Sequence, residues 1–487
     1  MKMRLLMFPL ALAAALSACS LTPPLVKPPL PVASKFPNEL PGLAAPGIGR
    51  TAADLGWRAM YGDARLRQLI ELALRNNRDL RVATLNVDAV QAQFNIQRAT
   101  RFPSADLSGS ASRERTSVAT NGAGTMPSIV QDQYSIGLGM TAFEIDLFGR
   151  ARAQSDAAFA RYLASEQGQL AAHISLIGAV ADTYCAELLA NAQLELAKYT
   201  LTDWRQSLEL TYRLKQAEQT SGLEVAQAEG QVATAEADLE ARHRAVAHAR
   251  NALILLIGTE LPADLPPPSA LDDQTVLMQL PAGLPSDLLL RRPDILQAEQ
   301  ALVSANADIG AARAAFFPRL SLTASLGYAS SSLSGLFDAG QRTWRFAPQV
   351  VQPLFQGGRL KAELRLAEVR KSMAVAEYER TIQTAFREVA DGLAGSATFG
   401  RQINAQQRVV ASAESRLAHS GERYRAGVEG RLELLDSQRQ LYAARQLLLN
   451  LRREAIGNAV ALFKALGGGL LEDSDAFAHL PSRTEVR

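Results

Sequence analysis

Two long stretches without proline set the first limit on this chain: residues 151–213 and 359–466 contain none, and alanine, leucine, glutamine and arginine dominate them. That mix favours helix. At 1.5 Å per residue, sixty or so residues of helix make a rod of about 90–100 Å. Such a rod does not fit inside a compact globule. Near the end of the second stretch, Leu441, Ala444, Leu448, Leu451, Ala455, Leu462 and Ala465 follow a heptad seam, with polar Asn458 at one seam position. This is coiled-coil spacing, and its alanines let helices approach closely. Helix breaks fall near residues 218–222 and 427–430, and at the first Ser221-Gly222-Leu223-Glu224 reads as a capping box opening a new helix.

The chain also repeats itself. Asp79-Leu80 matches Asp294-Ile295, Arg98 matches Arg313, and Phe102-Pro103 matches Phe317-Pro318, all at an offset of 215. Further on the offset is 209: Gly149-Arg150 matches Gly358-Arg359, Val180-Ala181-Asp182 matches Val389-Ala390-Asp391, and Leu256-Ile257-Gly258 matches Ala465-Leu466-Gly467. Fixed offsets over such lengths indicate an internal duplication, with one region six residues longer in the first half. Each half has the same order: a helix (about residues 64–101 and 286–316) stopped at Phe-Pro, two short strands, then the long helices. The strands are predicted from alternation. Tyr134, Ile136, Leu138 and Met140 alternate with Ser135, Gly137, Gly139 and Thr141. Leu320, Leu322, Ala324, Leu326 and Tyr328 alternate with small or polar residues, as do Trp344, Phe346 and Pro348. The fourth strand, near Leu107, has a weaker pattern.

Four strands cannot close a membrane barrel, because bacterial barrels start at eight and lipid does not tolerate an open sheet edge. Apart from the N-terminus, no apolar run is long enough for a spanning helix. The strands therefore either pack on the chain's own helices as soluble hairpins or are pooled by several chains. Three chains would supply twelve under cyclic symmetry. In that case the apolar face meets lipid, the Ser/Thr/Gly face lines a pore, and Tyr134, Tyr328, Trp344 and Phe346 enter an aromatic girdle.

At the N-terminus, Lys2 and Arg4 precede the apolar stretch 5–16 and then Leu16-Ser17-Ala18-Cys19. Residues 1–18 read as a secretory signal peptide. The tetrapeptide resembles a bacterial lipobox, in which cleavage leaves Cys19 as the lipid-bearing first residue. Ser20 after it resembles lipoproteins sorted to the outer membrane. Without Lys2 and Arg4 the 51 basic residues fall to 49, equal to the 49 acidic ones, and no nucleic-acid footprint remains. With Cys19 acylated, Cys185 has no intrachain partner and reads as a small buried hydrophobe. The expected organisation is an extended Pro-rich segment with the lipid anchor (19–60), a first repeat (61–260), a Pro-rich linker (261–285), a second repeat (286–467) and a tail (468–487).

Catalytic constellations are missing from the sequence. There is no phosphate-binding loop and no Gly-x-Ser-x-Gly nucleophile elbow. His243 and His248 are five apart and do not share a helical face, and the eight Met form no Met-x-x-Met cluster. The expectation is a non-enzyme with no catalytic residue, no metal and no cofactor beyond the covalent N-terminal lipid.

Several longer motifs carry a resemblance. Asn77-Arg78-Asp79-Leu80-Arg81-Val82-Ala83, Phe143-Glu144-Ile145-Asp146-Leu147-Phe148-Gly149-Arg150, Arg291-Arg292-Pro293-Asp294-Ile295 and Gly310-Ala311-Ala312-Arg313-Ala314-Ala315-Phe316-Phe317-Pro318 are similar to signatures of the OprM branch of TolC-like outer-membrane efflux proteins. The segment Pro281-Ala282-Gly283-Leu284-Pro285-Ser286-Asp287-Leu288-Leu289 belongs with them. The resemblance spans essentially the whole mature chain. It implies a mixed α and β membrane protein: a trimeric twelve-stranded transmembrane β-barrel, four strands per chain, continuous with a twelve-helix periplasmic α-barrel. It further implies an equatorial belt built from the N-terminal, linker and C-terminal segments, and an outer-membrane location with a long periplasmic extension. The implied partners are a homotrimer, a periplasmic adaptor, an inner-membrane pump of the resistance-nodulation-division type and outer-membrane lipid. The implied function is passive exit of drugs or other small toxic compounds. A duct for type I protein secretion and a non-channel structural envelope lipoprotein are the alternatives. The lipobox and the motifs favour efflux, and the paired strands argue against a pore-less lipoprotein.

Residues 423–439 match that family's periplasmic-tip motif. By resemblance, Leu432 and Asp436 form inward rings at a closed aperture, while Tyr424 and Arg439 hold neighbouring helices by polar contacts. By spacing alone, Asp436 and Arg439 are an ordinary i,i+3 pair on a solvated face. The first half departs from the pattern, with Glu218 where the second has Gly427, which leaves the geometry of its turn open.

Overall fold

The computed structural model describes residues 20–33, 36, 54–116, 129–271, 276–278, 280 and 292–472. Cys19, the signal peptide and the start expected for the second repeat at residue 286 lie outside them. The elements are α1 (Trp57–Met60), α2 (Ala64–Asn76), α3 (Arg78–Ala99), β1 (Asp106–Thr116), β2 (Ile129–Ile145), α4 (Arg150–Gln216), α5 (Gly222–Ile257), α6 (Pro293–Ala314), β3 (Arg319–Ser330), β4 (Arg342–Val351), α7 (Arg359–Arg425) and α8 (Arg431–Ala465).

The duplication is visible in the element bounds. Helix α6 begins and ends 215 residues after α3. Helices α4 and α7 are each 67 residues long and 209 apart, which gives each about 100 Å of helical rise. The turn glycines obey the same offset: Gly149 and Gly358 have φ of 74° and 87°, and Gly258 and Gly467 have 77° and 80°.

One expectation needs correction. The helix read as continuous over 64–101 is divided at Asn77. The Asn77 side chain accepts from the Leu80 amide at 2.8 Å and so caps α3, a role asparagine favours over mid-helix positions. Its amide nitrogen donates to the Leu256 carbonyl at 2.8 Å. In the second half Arg292 takes the equivalent bond, donating to the Ala465 carbonyl at 2.9 Å. Each half thus ties the start of its first long helix to the end of its last one.

The chain divides into two units, each drawing on both halves. The first comprises Met1–Pro28, Val87–Ser165 and Ala298–Tyr378. It holds a four-stranded sheet of order β1-β2-β3-β4, antiparallel throughout. Leu107 pairs with Leu138, Leu138 with Leu326, and Leu326 with Trp344, so one apolar residue from every strand lies in a single row. All four are exposed, Trp344 by 76%. The adjacent row runs Ser108, Gly137, Gly327, Thr343 on the opposite face. The register therefore places the weak fourth strand in line with the other three. A bulge interrupts β2 between Met140 and Phe143, with Ala142 at φ 50° and its amide donating to Thr323 Oγ1 at 3.2 Å. In the same unit the extended N-terminal segment lies along α6: Asn306 donates to the Pro23 carbonyl at 2.8 Å, and Lys27 pairs with Glu299 at 2.6 Å.

The second unit comprises Pro29–Asn86, Glu166–Gln297 and Glu379–Arg487. Its core gathers Trp57, Met60, Tyr61, Leu66, Leu69 and Ile70 from the first elements with Ile177 and Tyr184 of α4, Leu253 of α5 and Phe463 of α8, all fully buried. Asp63 caps α2 through the Leu66 amide at 3.0 Å and accepts from the Tyr184 hydroxyl at 3.1 Å. The Trp57 amide donates to the Leu471 carbonyl, and Tyr61 bridges to Val276. Residues preceding α2, of the linker and following α8 thus meet here. Cys185 is buried in the same unit, and burial pushes its thiol up to about 12. The apolar residues of the α8 heptad seam are buried, and its half-buried polar member Asn458 donates to the Gly392 carbonyl of α7 at 2.9 Å.

Among the described residues no helix is long and apolar enough to cross a membrane.

Candidate functional site

The two long helix pairs, α4–α5 and α7–α8, turn in the same way. The amides of Ala217, Glu218 and Gln219 donate to the carbonyls of Arg213, Lys215 and Leu214 at 3.1, 3.0 and 2.9 Å. At the offset of 209, Ala426, Gly427 and Val428 donate to Glu422, Tyr424 and Arg423, each at 3.0 Å. These bonds satisfy the last carbonyls of each helix and require one left-handed residue. That residue is Glu218 (φ 58°) in the first turn and Gly427 (φ 70°) in the second. The first turn thus has the geometry of its counterpart despite the side chain at its left-handed position.

The turns differ at the start of the next helix. Ser221 caps α5, accepting from the Glu224 amide at 3.3 Å. The Glu224 carboxylate accepts from the Thr220 hydroxyl, so the expected capping box is formed in only one direction. In the second turn Gly430 stands at the cap position and supplies no side-chain bond. Glu433, the counterpart of Glu224, instead pairs with Arg416 of α7 at 2.5 Å.

Asp436 sits in a network across the α7–α8 hairpin. It accepts from Gln440 at 2.8 Å, from Arg416 at 3.2 Å and from Arg439 at 3.4 Å. The i,i+3 pair expected from spacing is therefore present but is the longest of the three contacts. The Glu433 hydrogen bond, with the Asp436 charge behind it, holds the Arg416 guanidinium above its ordinary value. Sequence reasoning missed Arg416, although it lies eleven residues before Gly427 and Asp436 nine after. On antiparallel helices, similar distances from a turn bring residues opposite each other. The other expected tip residues are placed separately: the Tyr424 ring centroid lies 5.9 Å from the Arg431 guanidinium, and Leu432 is 65% exposed.

A few contacts tie the two helix pairs together near these turns. Arg431 donates to both the carbonyl and the hydroxyl of Ser207 on α4, each at 3.2 Å. Farther from the turns, Gln231 donates to Gln438 at 3.1 Å. Trp204 and Tyr442 meet edge-on at 6.1 Å beside the buried cluster of Leu201, Val232 and Ala235. Such an arrangement can exchange polar partners. Among the described residues no His, Cys, Asp and Glu group could hold a metal ion.

Residues 69–259 and 284–468 match the family described as outer membrane efflux protein. The chain is 44% identical over 460 residues to the probable efflux pump outer membrane protein TtgC of Pseudomonas putida, covering 94% of each chain. It is 41% identical over 475 residues to the outer membrane protein OprJ of Pseudomonas aeruginosa, covering 98% of each. Among solved structures, the open state of the Neisseria gonorrhoeae MtrE outer membrane channel superposes with a TM-score of 0.83 at 38% identity, over 94% of this chain and 100% of that one. CusC superposes with a TM-score of 0.80, also at 38% identity, over 93% and 100%. Four antiparallel strands and long helices per chain are the fold of the family's trimeric channels. The chain therefore belongs to the outer membrane efflux protein family, whose members are channel and transport proteins, and it is an outer-membrane exit duct.

Proposed function

We propose that three copies of the chain pool their sheets into one twelve-stranded barrel and passively conduct small toxic compounds to the exterior. The carrying observation is the sheet itself: an exposed apolar row crosses all four strands, and β1 and β4 each have one edge that pairs with no strand among the described residues. Such edges are costly in lipid unless other chains close them. Relatives are named as toluene, solvent and antibiotic efflux pump outer membrane proteins, which supports apolar solvents and drugs as cargo and favours efflux over protein secretion. In this reading the duct takes cargo from a periplasmic adaptor and a resistance-nodulation-division pump, which supplies the energy. The duct itself has no catalytic step and no cofactor apart from a lipid on Cys19.

The α7–α8 turns form its gate. Leu432 and Asp436 make inward rings, Arg416 and Arg439 offset the mutual repulsion of three Asp436 carboxylates, and Tyr424 braces the turn. The adaptor opens the aperture by binding the open form more tightly. Mass measurement in detergent should give three chains per particle. In planar bilayers, replacing Tyr424 and Arg439 together should raise conductance several-fold without loss of assembly. A monodisperse monomer would sink the pooled barrel. An assembled double variant conducting like wild type would place the gate elsewhere.

A further inference from the structure

Arg431 opens α8 and is only 1% exposed. Its Nη2 donates to the Ser207 carbonyl and hydroxyl, but that carbonyl already accepts from the Thr211 hydroxyl at 2.8 Å. Its Nε and Nη1 are buried and have no hydrogen-bond partner. The guanidinium also lies over the Tyr424 ring, 5.9 Å from its centroid. The duplication does not demand this side chain: the counterpart of Arg431 is Gly222, where an added Cβ would meet open space. Burial is complete within one chain, so a neighbouring copy cannot reach Nε or Nη1 unless the side chain moves.

A buried cation with unpaired donors disfavours the position that buries it. The packing around the same side chain favours that position, because truncation would leave a void. We propose that Arg431 is a positioning residue that holds the α7–α8 turn against α4 while keeping that seat weak. Its two idle donors find water or a carboxylate only when the turn leaves Ser207. The guanidinium thereby makes a closed aperture easy to open. This inference rests on the reading of the α7–α8 turn as the gate.

The opposing contributions can be separated in the full-length trimer. Arg431→Met keeps most of the packing and removes the idle donors. It should lower the open probability in planar bilayers at least threefold and slow amide hydrogen exchange over the first turn of α8. Arg431→Ala loses the packing as well and should raise conductance and speed that exchange. If Arg431→Met raises conductance as Arg431→Ala does, Arg431 is an ordinary bolt and the inference is overturned. Unchanged exchange and conductance in Arg431→Met overturns it too, and this variant decides the matter even where Arg431→Ala does not assemble. The Tyr424 and Arg439 double variant distinguishes the two readings. A response there with none from Arg431→Met removes only this inference, whereas no conductance change in any of these variants removes the gate itself.

Discussion

Glu218 and Gly427 occupy the same left-handed backbone position, φ 58° and 70°, at the ends of two helices related by the internal duplication. A side chain there costs about 1–2 kcal/mol, and the extra chain freedom of glycine offsets roughly 0.5–1 kcal/mol of the difference. Glu218→Gly should therefore stabilise the first turn by about 0.5–1 kcal/mol, and Gly427→Ala should destabilise the second by about 1 kcal/mol. Native-state hydrogen exchange of the turn amides reads both. Faster exchange in Glu218→Gly would mean that the carboxylate contributes more than its backbone strain costs.

Gly137 and Gly327 face each other across β2 and β3, and a Cβ on Gly327 would overlap the Ile136 carbonyl oxygen. Gly327→Val should abolish this strand pairing and the assembled particle with it. Gly109→Ala, whose new Cβ meets only the Ser135 carbonyl at 3.8 Å, should assemble normally. Size-exclusion chromatography in detergent separates the outcomes. A normal Gly327→Val particle would show that the register differs from that described.

His173 supplies a pH dependence. Burial lowers its pKa below the ordinary 6.5, with the Glu472 charge acting weakly the other way, and its Nδ1 is buried without a partner. The folded state favours the neutral ring, so on acidification the unfolded chain takes the proton first. The contribution of His173 is full above about pH 6.5 and is lost as pH falls toward its lowered folded value. Burial raises Glu187 and Asp203, which act in the opposite sense, so the comparison must be made against a variant. Between pH 8 and about 5, wild type should lose more thermal stability than His173→Gln. Parallel losses would mean that His173 is not the titrating group.

Cys19 heads a lipobox-like sequence. A palmitate analogue should label the wild type and leave Cys19→Ser unlabelled. The barrel should still hold the variant in the outer membrane, so location is not the readout. Label retained in Cys19→Ser would remove the lipidation site.

Local pattern determined a good deal of this protein. The offsets of 215 and 209 reappear as the bounds of paired helices, because equal residue patterns cap and stop helices alike. Alternation marked the strands because successive side chains point to opposite faces. It did not reveal the break at Asn77, since one polar residue does not interrupt a helical period, nor could it align Leu107 with Trp344, which depends on register across three strand pairs. The tip shows the same divide. Asp436 and Arg439 were legible three residues apart, while Arg416 came to Asp436 only through the antiparallel return of α8 along α7. The burial of Arg431 against Ser207, 224 residues earlier in the chain, has no local signature at all. Periodicity belongs to neighbours in sequence and sets which elements form. The partners of a charge, and whether it is buried, depend on surfaces that meet only after those elements have packed.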